Sequence, residues 1–309
     1  MKKFTVVDIP DYKYEALEPL GTKRKFWFTN DSDNIKYLFK IGRENTGENW
    51  VEVVVAEICK LLNIPHANYQ FATWQNKKGT ISKNFVPKSF RLIHGNELLA
   101  KIHEKLPFGE YPVEAKYKVR EYQLKLIVVL MKQKAIRLPI DYENKRLHTA
   151  FDLFISYILL DCLISNADRH HENWGWISGE KKIYLSPSYD HASGLGCREH
   201  DDIKKERLNS KDERYQVKSF VKKAKTPFYN KTKNLKTIEA FIICTEGNKD
   251  IAIYWLNKLE TLNFDDIKKI FEKIPTHLIS ETSIEFAMKM LDENKKRLLE
   301  IKEELTKND

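Results

Sequence analysis

The chain has 309 residues, enough for one large domain or two lobes, and its 42% hydrophobic and 12% aromatic content exclude a disordered polypeptide. Against 44 acidic residues stand 53 Lys and Arg, a formal net charge of +9 that suits a nucleotide, nucleic acid or an acidic protein partner, although signs are interspersed and read first as solvated helix faces. Four cysteines without a C-x-x-C pair argue against a zinc ribbon or a disulfide framework and fit a reducing cytosol, and no apolar run approaches the ~18 residues of a membrane span.

The amino terminus has a short apolar run, Phe4 to Val7, with Asp8 following and Pro10 closing it. This predicts a first strand rather than a signal peptide. Glu15-Ala16-Leu17 and Phe26-Trp27-Phe28 flank Leu20-Gly21-Thr22-Lys23-Arg24-Lys25, which reads as strand, glycine turn, strand. A polar cluster, Asn30 to Asn34, turns the chain into another strand, Lys36 to Ile41, stopped by Gly42.

The period then changes. Trp50, Val54, Ile58, Leu61 and Leu62 recur at three and four, predicting an amphipathic helix capped at Thr46 and stopped at Asn63-Ile64-Pro65. Strands around 67–73 and 80–85 complete a small sheet carrying one helix. Beyond Gly95 the pattern is helical apart from a central site. Tyr122 to Met131 and His148 to Ser165 are strongly apolar, the second so uniformly that burial on most sides is expected. Lys182 to Leu185 reads as a strand, Cys197 to Lys225 as a long exposed charged loop opened by a flexible Ser193 to Gly196 run, and helices return over 237–244, 251–259, 264–271 and 284–304. The expected fold is α+β and two-lobed, with a β-rich lobe over residues 1–90 and a mainly helical lobe over 91–309.

Chemistry concentrates in Asn166-Ala167-Asp168-Arg169-His170-His171-Glu172-Asn173-Trp174-Gly175 and, beyond a predicted hairpin, Tyr189-Asp190-His191. Phosphoryl transfer needs a cation on the phosphates, a positive side chain, and a carboxylate to orient the nucleophile. Asp168, in a polar loop after a buried helix, can accept a hydroxyl proton. Asn173 and Asp190 offer the oxygens that Mg²⁺ takes. Lys40 can reach the α- and β-phosphates, with Glu52, or failing that Glu57, as its partner. Gly21 can bring backbone N–H groups to a phosphate, with Thr22, Lys23 and Lys25 adding donors. His170 is expected to brace the loop rather than to react, and Trp174 and Trp176 to pack. A metal hydrolase built on His170, His171, His191 and their carboxylates is the competing reading, against which stands the lack of an H-E-x-x-H spacing.

With these residues in view, the sequence resembles the HipA-like kinases, bacterial serine/threonine protein kinases found as toxins in toxin–antitoxin modules, and the short stand-alone members in particular. The matching pieces are Leu20 to Lys25, Leu38-Phe39-Lys40, the Glu52 helix ending Leu62 to Pro65, Asp168-Arg169-His170-x-x-Asn173-Trp174-Gly175 and Ser186-Pro187-Ser188-Tyr189-Asp190. The resemblance implies a two-lobed kinase using ATP and Mg²⁺, with Asp168 as catalytic base, Asn173 and Asp190 as Mg²⁺ ligands and Lys40 on the ATP phosphates. It implies a protein substrate with a Ser or Thr acceptor, a small antitoxin as a candidate partner, no membrane, nucleic acid only indirectly, and a bacterial cytoplasmic location, with delivery to another cell left open. The D-R-H-x-x-N core is shared with phosphoinositide kinases.

Two departures matter. Full-length members carry an additional amino-terminal domain where this chain has only a short stretch before Gly21, which puts antitoxin binding and DNA-linked autoregulation in question. The phosphate-loop serine that members phosphorylate in themselves is replaced by Thr22, leaving Ser210, Ser219 and Thr226 as further candidates for autophosphorylation. A kinase for a small molecule or lipid head group, and a non-catalytic basic binding module, are the alternative functions.

Overall fold

A computed structural model describes residues 2–13, 16–17, 25–105 and 109–307. Gly21, Thr22 and Lys23 lie outside the described residues.

The small lobe is a six-stranded sheet in the order β1 (Val6–Asp8), β5 (Tyr69–Trp74), β6 (Lys77–Lys83), β4 (Ile35–Ile41), β3 (Lys25–Asn30), β2 (Ala16–Leu17). The β1 and β5 strands run parallel and the other pairs antiparallel. Alternation along β4 sends Tyr37, Phe39 and Ile41 to one face, where they pack with Phe26, Phe28 and Ile81, and Leu38 and Lys40 to the other. Register places Lys25 opposite Lys40 on that second face, and aligns Trp27, Leu38, Ser82 and Tyr69 as one cross-strand row.

The helix α1 (Glu48–Leu62) packs on β5 and β6 and is buried almost all round, which the Val51 to Ala56 run favours over a narrow stripe. Two expectations are corrected here. Leu61 is exposed at 46%, off the buried face. Gly47, not Thr46, is the N-cap: Val51 N–H donates to Gly47 O at 3.1 Å, the Trp50 indole fills the space a Cβ on Gly47 would take, and Thr46 Oγ1 donates to Arg43 O at 2.8 Å. At the other end Asn63 closes the helix in the left-handed region, φ 55°, as the Asn-Ile-Pro stop predicts.

The larger lobe is built around α4 (Ala150–Ile164), every residue of which is buried. Thr149 caps it, accepting from Asp152 N–H at 3.2 Å, and Ser165 ends it in the left-handed region. Around α4 pack α3 (Leu124–Met131), α7 (Thr237–Gly247), α8 (Lys249–Glu260) and α10 (Glu281–Lys307), while α9 (Phe264–Glu272) packs on α1. The helix α2 (Gly95–His103) follows β7 (Arg91–His94), which pairs with β9 (Gly175–Gly179) in a sheet completed by β10 (Lys182–Leu185) and β8 (Ile136–Arg137). The two lobes share one continuous core.

The stretch 197–225 is not a loop. It folds as α5 (Asp201–Asn209) and α6 (Val217–Lys222), followed by a hairpin of β11 (Lys225–Asn230) and β12 (Lys233–Lys236). The helix α5 has no apolar stripe because its one buried side chain, Lys204, is held by polar contacts to Ser283 at 2.7 Å and Asp201 at 3.2 Å. Val217 and Val221 of α6 pack on Phe286 and Met290. The run before it is ordered by packing: Leu195 is fully buried and donates its N–H to Ile164 O at 2.7 Å. Gly196 has φ +60°, and a Cβ there would meet Phe286 at 2.5 Å.

Backbone bonds stitch α1 and the turn after it to the large lobe. Gly47 N–H donates to Cys197 O at 2.8 Å, Ala67 N–H to Ser188 O at 2.9 Å, and Ser188 N–H to Pro65 O at 2.9 Å.

Candidate active site

The loop after α4 is positioned by a buried ion pair. Arg169, with no exposed surface, donates Nε to Asp161 Oδ2 at 2.7 Å and Nη2 to Asp161 Oδ1 at 2.8 Å, while Nη1 reaches Asn173 O at 2.9 Å and Nη2 reaches Ser188 Oγ at 3.1 Å. One guanidinium thus ties together α4, the loop and the segment leading to Asp190. Asn166 Nδ2 also donates to Asp161 Oδ1, at 2.8 Å, and its Oδ1 receives Asp168 N–H at 3.2 Å and Ser193 Oγ at 2.6 Å.

That frame aims Asp168, Asn173 and Asp190 into one cavity of about 470 Å³ between the lobes. Asn173 Nδ2 donates to Asp168 O at 2.7 Å, which holds the two ends of the loop together and leaves Oδ1 as the amide's donor for a cation. Asp190 has φ 57°, and its N–H donates to Tyr69 OH at 3.0 Å.

Lys40 enters from β4. Its Nζ is 3.1 Å from Asp190 Oδ2 and 3.7 Å from Glu52 Oε1, and stands over the Tyr69 ring at 5.9 Å. Burial alone would lower its pKa, but the Asp190 and Glu52 carboxylates outweigh it and hold the ammonium well above its usual range. Glu52 is 2% exposed and its Oε2 receives His191 N–H at 2.9 Å. Glu57 pairs instead with Lys60 along α1. Lys25 lines the same cavity, as its register opposite Lys40 requires.

His170 and His191 are both buried beside the carboxylates. Burial lowers the His170 pKa, its Nδ1 accepts from Glu172 N–H at 3.2 Å, and Nε2 lies 3.7 Å from Asp168 Oδ1, too far to hydrogen-bond. His191 is driven well below its usual range, first by burial and then by Arg169. Ser188 Oγ accepts from Arg169 and shares a hydrogen bond of 2.7 Å with His191 Nε2, which fixes the orientation of that ring. Trp174 is buried and donates Nε1 to Tyr122 OH at 2.7 Å.

Several contributors were not read from the sequence. Tyr117 OH donates to Asp168 Oδ1, and Arg198 Nη2 lies 3.7 Å from Asp168 Oδ2. Arg198 and Arg43 share Glu48, at 3.5 and 2.9 Å. Tyr69 and Asp161 complete the set. Asp161 carried a signal, an acid inside an otherwise apolar helix, whereas Tyr117 and Arg198 lie in segments without periodicity.

One part of the cavity wall is apolar, formed by Trp27, Leu38, Ala67, Phe85, Val86 and Leu92, with Ser82, Lys83, Asn84 and His94 beside it. A slot of this kind beside convergent carboxylates and a buried lysine, between a β-rich lobe and a helical one, defines a protein-kinase-like fold. The chain belongs to the HipA-like C-terminal domain family, whose model matches residues 17–246. It is similar to the serine/threonine-protein kinase CtkA of Helicobacter pylori strain J99, 23% identical over 290 residues that cover 91% of this chain and 81% of the relative. Among solved structures, the Helicobacter pylori proinflammatory kinase CtkA superimposes with a TM-score of 0.70 at 19% identity, covering 96% of this chain and 99% of that one. The Shewanella oneidensis MR-1 toxin HipA, solved with HipB and its operator DNA, gives 0.56 at 12% identity, over 94% of this chain and 67% of that one. Among the described residues no helix is long and apolar enough to cross a membrane.

Proposed function

We propose that the chain is an ATP- and Mg²⁺-dependent serine/threonine protein kinase of the HipA-like type, able to phosphorylate itself. The observation that carries this is Lys40, paired at once with Glu52 and Asp190 in the cavity that also holds Asp168 and Asn173. The apolar slot takes the adenine, and Lys40 carries the α- and β-phosphates. On the family resemblance, Gly21, Thr22 and Lys23 add phosphate donors together with Lys25 of β3.

Asn173 Oδ1 and the Asp190 carboxylate suit Mg²⁺, which prefers oxygen donors, takes few of them from protein and keeps water and phosphate for the rest. When bound, Mg²⁺ neutralises charge on the phosphates and fixes their orientation. Asp168 orients the acceptor hydroxyl and takes its proton. The acceptor oxygen bonds to the γ-phosphorus, the bond from that phosphorus to the β,γ-bridging oxygen breaks, and ADP leaves with the electron pair. His170 and Arg169 hold the loop in place.

A small antitoxin is a candidate partner, because the Shewanella relative was solved with HipB. The test is labelling with radioactive ATP. Wild-type protein should label itself or a generic protein substrate, and Asp168→Asn should reduce the rate about 10²- to 10⁴-fold at an unchanged melting temperature. Equal labelling by the two proteins overturns the assignment, and labelling of phosphoinositides in preference to lysate proteins replaces the acceptor class.

A further inference from the structure

The contact between Tyr117 and Asp168 has a character that the other buried tyrosine hydroxyls lack. Tyr122 and Tyr157 are fully enclosed and donate to backbone carbonyls, Arg169 O and Ser186 O, both at 2.9 Å. Tyr117 is 55% exposed, yet its hydroxyl reaches into the cavity and donates to Asp168 Oδ1. Its ring makes an edge contact with His170, centroids 6.0 Å apart. The segment is tethered next door by the Lys116–Glu172 ion pair and turned by Lys118 at φ 60°. A hydroxyl donating to the base is the arrangement an acceptor must adopt before transfer.

The surroundings specify the acceptor's chemistry. Arg43 and Arg198 are 45% and 44% exposed, whereas Glu48 between them is 1% exposed and Asp168 18%. An approaching chain therefore meets guanidinium groups, with their carboxylate partners withdrawn behind them. Guanidinium forks favour carboxylates and phosphates.

We propose that Tyr117, Arg198 and Arg43 form the acceptor subsite, that the Tyr117 hydroxyl stands in for the acceptor hydroxyl, and that the acceptor is a hydroxyl flanked by acidic groups. This rests on the kinase reading and deepens it. Binding of acceptor displaces the half-exposed Tyr117 ring outward, so the tyrosine competes with substrate instead of assisting it.

The full chain would be assayed with Mg²⁺-ATP against an acidic acceptor, dephosphorylated casein, and a basic one, myelin basic protein. The wild type should prefer casein. Tyr117→Phe, which removes the competing hydroxyl, should lower the casein KM several-fold and leave the ATP KM unchanged, and Arg198→Gln should raise the casein KM roughly tenfold. A preference for the basic acceptor overturns the proposal, as does a Tyr117→Phe enzyme with unchanged casein KM or a lowered kcat, which would make Tyr117 inert or a positioning residue. Phosphate found on Tyr117 by mass spectrometry also overturns it, since the residue would then be an acceptor itself. In all those cases the kinase reading stands. If the wild type labels neither protein and calorimetry detects no Mg²⁺-ATP binding, the kinase reading fails and the subsite with it.

Discussion

Arg169 and Asp161 form a two-pronged ion pair with almost no solvent contact, and it bridges the end of α4 to the loop that carries Asp168. Removing one partner leaves an uncompensated buried charge. Asp161→Ala should cost about 3–5 kcal/mol. Differential scanning calorimetry should show a fall in melting temperature of roughly 5–15 °C for a chain of this size. Replacing both residues with apolar ones should cost less than the sum of the single changes, and additive losses would contradict the coupling.

Lys40→Met is expected to weaken Mg²⁺-ATP binding by at least about tenfold, or ~1.4 kcal/mol, in isothermal calorimetry. Lys40→Arg should not restore it. The ammonium is a point charge fitted between Asp190, Glu52 and the Tyr69 ring, and a planar fork has neither the room nor the geometry there. Wild-type affinity in Lys40→Arg would remove Lys40 from the nucleotide site.

Acid should destabilise the fold before most carboxylates titrate. His66, His94, His170, His171 and His191 all have lowered pKa values, with burial the largest cause in each, and His171 is brought to about 4. In the unfolded chain these rings take protons near pH 6.5, so the unfolded state binds more protons below that point. The stability is therefore complete above pH 6.5 and is lost as pH falls toward 4. His171 alone accounts for on the order of 3 kcal/mol across that window. Urea midpoints measured at pH 7, 6 and 5 should fall steadily, and a flat profile would refute the neutral assignments.

Gly196→Ala should destabilise the protein by about 1–3 kcal/mol. The residue holds a left-handed backbone, and its Cβ would collide with Phe286 on α10. Because Arg198 follows two residues later, acceptor KM should rise along with the loss in melting temperature. A neutral result in thermal unfolding would mean that α10 yields at that contact.

That Asp168, Asn173, Asp190, Lys40 and Glu52 meet at one candidate site was legible because few spacings can bring such residue types together. Asp168, Asn173 and Asp190 lie in one short region on either side of a hairpin, and Lys40 and Glu52 sit on elements whose periods are clear. The uniform apolar run of α4 announced its burial. What stayed hidden depends on polar tertiary contacts. Lys204 docks α5 through Ser283, so the helix carries no apolar pattern and its sequence reads as a solvated loop. Leu195 and Gly196 look like a flexible run until Ile164 and Phe286 are placed against them. Tyr117 reaches Asp168 across 51 residues of chain, a distance no local pattern encodes. Thr226, a candidate for self-modification by residue type, is 4% exposed within β11.

The backbone bonds from Gly47 to Cys197 and from the Pro65 to Ala67 turn to Ser188 anchor both ends of α1 outside its own sheet. The helix α1 is thus fastened to the helical lobe as well as to its own sheet. A switch that swings this helix away to withdraw Glu52 would have to tear those bonds and the shared core at once. Any change in the 3.7 Å separation of Lys40 and Glu52 would then fall to the β4 side, because the carboxylate rides on the anchored helix.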